Sequence, residues 1–320
     1  MSKRSRLSPH LPPGPSQLPI IGNLHQVGTL SHNTLWSLSK QYCPLMHLKL
    51  GCLPTLVVSS AKHAREEMKY QDLDFCSRPP FLSQKRLSYN FSDIAFAPYG
   101  EYWREMRKII EEHMDPQRKK LEQEDFADVL IHLRKDLKLS KDHIKAILMN
   151  ILVAGTDTSS ATLTWAMSEL VRNPKALKKA QDEVRRVIRS KNKVEESDVS
   201  QLQYLKLVVK ETFRQLGVIL IAGNILINEF MPERFMGSEV DYKGQHFELI
   251  PFGAGRRICP GMLFGTTTVE LALANLPSFF NWELPLGTKM EDMDMSEAPG
   301  LTVHKKYHLL LVATNYDISN

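Results

Sequence analysis

Cysteine is scarce in this sequence, and its spacing excludes two common kinds of cysteine-based site. The four cysteines are Cys43, Cys52, Cys76 and Cys259. They form neither a C-x-x-C pair nor the evenly spaced set of a secreted disulfide framework. A reducing compartment is therefore expected.

Long apolar runs are also absent. No segment reaches the roughly eighteen apolar residues that a membrane-spanning helix needs. The nearest candidate, Ala146 to Gly155, is too short and contains Asn150. The basic segment Met1 to Leu11 lacks the apolar core of a secretory signal. We therefore expect neither a membrane span nor a signal peptide.

Neither sign of charge is in large excess. Lys and Arg number 41 against 36 Asp and Glu, which gives a net charge of only +5. Because the charges are scattered, nucleic acid is not predicted as a partner. A chain of 320 residues with 42% hydrophobic and 24% charged residues is instead typical of a globular protein with a large core.

One short loop, Phe252 to Gly261, carries an unusual concentration of special residues. It contains three glycines and a proline, which predicts a tight loop that can lie close to a flat partner. Cys259 follows Arg256 and Arg257, and this positive setting would favour a thiolate, the form that binds soft metals. Two other interpretations remain open and are favoured on Cys259 alone: a buried structural cysteine, and a nucleophile that works with a distant histidine.

The order of residues in this loop resembles the haem-binding loop of the cytochrome P450 family, Phe-x-x-Gly-x-Arg-x-Cys-x-Gly. The matching positions are Phe252, Gly255, Arg257, Cys259 and Gly261. The resemblance implies that Cys259 is the axial thiolate of haem b and that Arg257 pairs with a haem propionate. It also implies that the helix predicted from Met262 to Asn275 packs behind the haem, with its N-terminal dipole favouring the thiolate.

A second motif lies on a helix predicted to start at Pro98. Trp103 and Arg107 stand four residues apart, so both side chains share one face and could donate hydrogen bonds to an acidic group. A surface aromatic–cation pair is the alternative. The family places Trp-x-x-x-Arg here to bind the haem propionates, which makes both residues expected cofactor ligands.

A long helix is predicted to begin at the N-cap Ser140. Its apolar face should be buried and comprises Ile144, Ile147, Leu148, Ile151 and Leu152. The segment 154–160 is unfavourable inside a helix because it combines a glycine with several hydroxyl residues, and it predicts a local distortion.

The same segment offers the parts of a proton relay. Gly155 would allow close approach of a ligand, Thr158 provides a hydroxyl and Asp157 a carboxylate. The alternative is a polar helix end, although the helical pattern continues to Asn173. The family has Ala-Gly-x-Asp-Thr-Ser on its oxygen-activating helix, which implies catalytic roles for Ala154, Gly155, Asp157 and Thr158.

A third motif has no meaning alone. Glu211 and Arg214 form an i,i+3 pair of a kind that is common on surfaces. In the family, however, this Glu-x-x-Arg is buried and bonded to the arginine of a later Pro-Glu-Arg-Phe, which is present here at 232–235. The resemblance implies a structural triad of Glu211, Arg214 and Arg234.

The sequence departs from the family in three places. After Ile110 a charged segment, Glu111 to Lys120, leads almost directly into Gln123 to Arg134, where relatives have several helices, including the lid pair over the substrate. Between Arg214 and the Pro-Glu-Arg-Phe motif, an apolar run replaces strands of a β-sheet. The N-terminal anchor helix of membrane-bound relatives is also expected to be missing.

The resemblance implies a mainly α fold with small β-sheets, a cytochrome P450 fold that is incomplete. Residues 1–30 are assigned to a basic, proline-rich arm and 31–320 to one haem-binding domain. Further β elements are a hairpin at Leu45 to Ser60 and a strand pair, Leu301 to Val312, whose turn enters the pocket.

The implied function is that of a plant A-type, family 71-like monooxygenase. One atom of O₂ would enter a small hydrophobic organic substrate, similar to plant secondary metabolites. Electrons would come from NADPH through a flavoprotein, NADPH–cytochrome P450 reductase, docked near Arg256. The family implies the cytosolic face of the endoplasmic reticulum, and an anchor-free chain would be cytoplasmic. Two alternatives stay open: a shortened, inactive relative, and a helical interaction protein without haem.

Overall fold

The computed structural model describes residues 11–115, 125–188, 191–216 and 229–316. These residues are mainly helical with small sheets, so the predicted fold class is confirmed. The charged residues 116–120 and the apolar residues 218–227, on which two predictions rest, lie outside the described ranges. None of the described helices combines the length and apolarity that crossing a bilayer requires.

The described helices follow one another along the whole chain. They are α1 Leu24–Val27, α2 Ser31–Gln41, α3 Ala61–Arg65, α4 Asp72–Phe75, α5 Leu82–Leu87, α6 Glu101–Met114, α7 Phe126–His132, α8 Lys141–Arg172, α9 Pro174–Ile188, α10 Glu196–Val199, α11 Gln203–Leu216 and α12 Met262–Phe279. A π-helical turn, Glu66–Tyr70, continues α3, and short 3₁₀ turns lie at Pro232–Phe235, Gly255–Arg257 and Met290–Asp292.

The strands described form three antiparallel pairs. They are β1 Leu45–Leu50, β2 Leu53–Val58, β3 Phe280–Glu283, β4 Glu297–Ala298, β5 His304–Lys305 and β6 Val312–Asn315. The pair β1–β2 is the predicted hairpin, with Leu45 opposite Val58. The predicted pairing of the tail strands is wrong, because β5 pairs with β4 and β6 pairs with β3.

The N-terminal segment is held against the β1–β2 hairpin. The buried side chain of Asn23 accepts a hydrogen bond from the Lys49 N–H at 2.8 Å and donates to the carbonyl of Ser16 at 3.1 Å. Gly22 also forms a β-bridge with Leu50. The proposed boundary at residue 30 stays a prediction.

Two apolar clusters position α8. Its C-terminal half packs in a core with α9, α11 and α12, and its N-terminal half packs against α6 and α7. Between them, Leu152 and Val153 are 66% and 54% exposed. The predicted burial of the whole apolar face is therefore wrong. A helix of this length spans about 48 Å, and the two clusters cover its ends but not this middle turn.

The predicted distortion of α8 is also wrong, since the helix is α-helical throughout Lys141–Arg172. The hydroxyls of Thr158, Thr162 and Thr164 donate to the carbonyls four residues earlier, at 2.5, 2.8 and 2.8 Å. These bonds add to the backbone hydrogen bonds rather than replace them, so the polar segment is accommodated. Helix α6 begins at Glu101, after an extended Gly100, rather than at Pro98.

Candidate functional site

A cavity of about 380 Å³ lies between α8 and the Cys259 loop. This volume is within the roughly 300–1,000 Å³ of small-molecule sites. Its lining includes Ala154, Thr158 and Thr162 from α8, Phe213 from α11, Phe252, Arg257 and Cys259 from the loop, and Thr302 and Val303 next to β5. Residues from distant parts of the sequence thus meet around one space.

The Cys259 loop is closed by backbone hydrogen bonds. The N–H of Cys259 donates to the carbonyl of Phe252 at 2.9 Å, and Gly255 starts a 3₁₀ turn with φ +66°. A Cβ on Gly255 would lie 2.0 Å from the carbonyl oxygen of Met68. Glycine is therefore required by contact with the π-helical turn. Gly261 precedes α12 as its N-cap.

The thiol of Cys259 lines the cavity and is half-buried. Burial raises its pKa, while a hydrogen bond from the Gly261 N–H and the charge of Arg107 act in the opposite direction. The prediction that neighbouring arginines favour a thiolate is therefore wrong for the protein alone. Arg256 instead pairs with Asp72 at 2.7 Å, so its charge is already partnered. A coordinated metal ion deprotonates a thiol outright.

Arg257 joins the Cys259 loop to the segment before α6. Its guanidinium donates to the backbone carbonyls of Cys76, Ala95 and Ala97, and lies 4.8 Å from the ring centroid of Trp103. Burial and the charge of Arg78 lower its pKa to about 10. Arg257 is therefore a partly desolvated cation at the cavity wall.

Trp103 and Arg107 are both buried on α6, which excludes the interpretation as a surface pair. The Trp103 indole N–H donates to the carbonyl of Ile94 at 3.0 Å. Arg107 donates to the carbonyl of Ile258 and to the carboxylate of Glu111. Arg107 therefore connects α6 directly to the residue before Cys259.

These cations suit a cofactor with carboxylate groups. The charges of Arg78 and Arg107 both act on Arg257, whereas Asp93 is a nearby carboxylate that opposes them. A group with two acid side chains, such as haem, would balance this excess. Arg78 also lines the cavity. Sequence reasoning missed it because an arginine within a proline-rich loop carries no periodic signal.

The α8 wall contains only part of the predicted relay. Ala154 and Thr158 line the cavity, and the Thr158 hydroxyl donates to the Ala154 carbonyl. The Asp157 carboxylate lies instead 3.1 Å from Nε2 of His304 on β5. Gly155 is exposed, and a Cβ there would have no described neighbour within 4 Å. Neither Asp157 nor Gly155 is among the lining residues.

The three charged residues of the expected triad lie together. The fully buried Glu211 accepts from Arg214 at 2.8 and 2.9 Å, and Nε of Arg234 lies 3.0 and 3.1 Å from its two oxygens. The N–H of Met231 donates to the same carboxylate at 3.1 Å. This network joins α11 to the turn at 232–235.

Comparisons with known proteins agree on one family. The family profile described as Cytochrome P450 matches residues 12–121, 108–221 and 228–312. The chain is 37% identical to cytochrome P450 71A9 of Glycine max over 96% of this chain and 93% of that protein. It is 35% identical to 2-methylbutanal oxime monooxygenase of Manihot esculenta over 94% and 90%. A zebra fish cytochrome P450 solved with abiraterone has a TM-score of 0.74 at 19% identity, covering 89% of this chain and 99% of that chain.

The alignments are longer than the chain itself. The first spans 466 positions against 320 residues, so the relative has internal segments without counterpart here. The profile matches break around 108–121 and between 221 and 228. These are the two internal regions where missing segments were predicted, and the predicted shortening is confirmed.

Proposed function

The chain belongs to the cytochrome P450 family, and from this premise we propose that it oxygenates a small hydrophobic molecule of the plant secondary-metabolite kind. The family is one of haem-dependent monooxygenases. Its similar relatives are plant proteins, and one is named a 2-methylbutanal oxime monooxygenase. In the proposed reaction, one oxygen atom of O₂ enters the substrate and the other becomes water.

One observation carries the proposal: Cys259 and Thr158, far apart in sequence, line the same cavity. A haem held there by the Cys259 thiolate would supply the oxidising chemistry, with the thiolate donating electron density to favour O–O cleavage. The residues around the cavity suit such a group, since cationic side chains lie at one edge and apolar side chains line the walls.

We assign haem binding to residues on both sides of the Cys259 loop. Arg257, Arg107 and Trp103 are the donors for the propionates, and each is already held in place by backbone carbonyls. Phe252, Gly255 and Gly261 shape the loop through a closing hydrogen bond, a left-handed turn and the start of α12. The buried Glu211, Arg214 and Arg234 hold α11 in place beside the cavity.

Proton delivery is assigned to α8. The Thr158 hydroxyl lies on the cavity wall, where its oxygen can accept a proton while its own hydrogen bonds Ala154. Asp157 is half-exposed and can exchange protons with water. Gly155 and Ala154 add no bulk to this turn. These two polar groups would move protons between solvent and the cavity.

The electron donor is proposed to be NADPH, through a flavoprotein reductase. Arg104 and Lys108 of α6 are exposed near the same end of the molecule as Arg256, and a cationic face would attract an acidic partner. The family relationship supports association with the endoplasmic reticulum membrane. Both assignments await a direct binding measurement.

A second candidate function is favoured by the exposure of Leu152 and Val153. In this alternative the chain is a shortened relative that keeps the haem-binding signature but is catalytically inactive. Without covering segments, water would reach the middle of α8, and a site open to water loses control of reduced oxygen.

The test is a difference spectrum of the reduced, carbon monoxide-treated protein, purified after expression with haem supply. A strongly red-shifted Soret band that Cys259→His abolishes, and that Cys52→Ser leaves intact, is expected. An unshifted band or none in the native chain would overturn the haem–thiolate assignment. A shifted band without NADPH-dependent product formation in the presence of a reductase would favour the inactive alternative.

A further inference from the structure

We propose that His304 is a positioning residue for Asp157, an assignment that rests on the proposed function because it gives the relay's carboxylate its partner. Nε2 of His304 lies 3.1 Å from Oδ1 of Asp157. The two side chains are 42% and 46% exposed. The pair therefore faces water on one side and α8 on the other.

The short strand that carries His304 is fixed to α8 by other contacts. The indole N–H of Trp165 donates to the carbonyl of Val303 at 2.9 Å, and Nζ of Lys305 lies 5.1 Å from the centre of the Trp165 ring. Contacts before and after His304 thus hold its backbone one turn or more along the helix from Asp157. The imidazole can reach the carboxylate without movement of the strand.

The opposite side of the hairpin is held as well. Ala298 of β4 lies opposite His304, and Glu297 accepts hydrogen bonds from His32 and Asn33 of α2 at 2.9 Å each. The hairpin is therefore clamped between α2 and α8. A clamped strand can fix the orientation of a side chain that a surface position would otherwise leave free to rotate.

The pair also lies beside the cavity. Thr302 and Val303, immediately before His304, line it together with Thr158, the residue after Asp157. His304 therefore holds the carboxylate at the rim, between solvent and the Thr158 hydroxyl. Loss of the imidazole would release Asp157 into water and remove this proton donor from its place.

The proposal is tested through the fate of oxygen in the haem-loaded protein with reductase and NADPH, without added substrate. Two reactions compete. In the first, O₂, NADPH and one proton give hydrogen peroxide and NADP⁺; in the second, O₂, two NADPH and two protons give two waters and two NADP⁺. The second reaction needs more protons per O₂, so poorer proton delivery should raise the peroxide yield per NADPH oxidised.

The variants are His304→Ala, Asp157→Ala and the double substitution, with His304→Gln as the conservative change that keeps an N–H donor. His308→Ala, at an exposed histidine of the same tail, is the matched control. We expect His304→Ala to raise the peroxide yield severalfold, His304→Gln to restore most of the native value and His308→Ala to match the native protein. In the Asp157→Ala background, His304→Ala should have no further effect.

A second measurement, the melting temperature of the same variants, reports the contact independently of turnover. Non-additive melting shifts for the two single substitutions are expected for side chains in contact. Non-additive melting with an unchanged peroxide yield would overturn the positioning role and leave a structural contact only. Additive effects in both measurements would overturn the contact itself. A native chain without a shifted Soret band would overturn the proposed function, and this inference with it, whereas a normal band with unresponsive His304 variants overturns the inference alone.

Discussion

Glu211 and Arg214 form a two-point ion pair inside the protein. Nε and Nη2 of Arg214 lie 2.8 and 2.9 Å from the two carboxylate oxygens, and the Glu211 side chain has no exposed surface. Arg234 approaches the same carboxylate at 3.0 Å. One negative charge therefore faces two positive ones in a region that water does not reach.

Neutralising this carboxylate should destabilise the protein strongly. Glu211→Gln keeps the shape of the side chain but leaves two buried guanidinium groups without their counter-charge, which is expected to cost about 3–5 kcal/mol. Urea unfolding of the haem-loaded protein measures the change. Asp182→Asn removes one partner of the exposed Lys178–Asp182 pair and should cost less than about 1 kcal/mol. Equal effects for the two variants would show that the buried network does not contribute as described.

A methyl group at Gly255 should disrupt the Cys259 loop. Gly255→Ala combines a left-handed backbone, costing about 1–2 kcal/mol, with a Cβ placed 2.0 Å from the Met68 carbonyl oxygen. Gly253 has a similar φ of +72° with no described atom within 4 Å of its Cβ position, so Gly253→Ala isolates the backbone cost. The fraction of purified protein that carries haem should fall much further in Gly255→Ala. Similar losses in both variants would exclude the contact with Met68 as the cause.

Removing the Thr158 hydroxyl should leave haem binding intact but waste electrons. Thr158→Ala is expected to keep the red-shifted Soret band and to convert more of the NADPH consumed into peroxide, because the cavity wall then lacks its proton-transferring group. Thr164→Ala removes a hydroxyl with the same bond to a carbonyl four residues earlier, away from the lining residues. Unchanged peroxide yield in Thr158→Ala, or an equal rise in Thr164→Ala, would contradict the assigned role.

Glu270 should make stability depend on pH with a defined sign. Burial raises the pKa of this carboxyl above its ordinary 4.5, with a smaller opposing effect of Lys206. The folded state then holds its proton to higher pH than the unfolded state. Stability is therefore highest at low pH and falls as pH rises through the raised pKa.

Glu270→Gln abolishes this dependence. The variant should gain stability relative to the native chain between about pH 4 and pH 7, as measured by urea unfolding at both values. Glu283→Gln, at an exposed glutamate on β3, is the control and should show no such gain. A Glu270→Gln variant that loses stability over this range would mean that the carboxylate is stabilised when charged.

Much of the site could be predicted from local sequence patterns. The spacing in Phe252 to Gly261 and the four-residue interval between Trp103 and Arg107 identified side chains that the fold does bring near one cavity. Such spacings survive because each motif lies within one element, whose geometry fixes relative positions. Glu211, Arg214 and Arg234 were also identified, although their meeting depends on two elements.

Other features depended on distant parts of the chain. The pKa of Cys259 follows from burial, while Arg256 and Arg257 are engaged by Asp72 and by backbone carbonyls. The side chain of Asp157 was expected at the oxygen site, yet it is drawn to His304. No periodicity along α8 contains the information that a tail strand lies beside it. The exposure of Leu152 likewise reflects which segments are absent from the chain, and not the pattern of the helix.

The contacts of His32 and Asn33 with Glu297 set a lower limit on how far this protein can be trimmed. An expressed fragment that begins after Gln41 would lose both donors to β4, as well as the segment that carries Asn23. The hairpin would then be held from one side only, and the rim of the cavity would loosen although no rim residue had been removed. Domain boundaries for expression should therefore be drawn upstream of Asn23, far in sequence from the catalytic residues that depend on them.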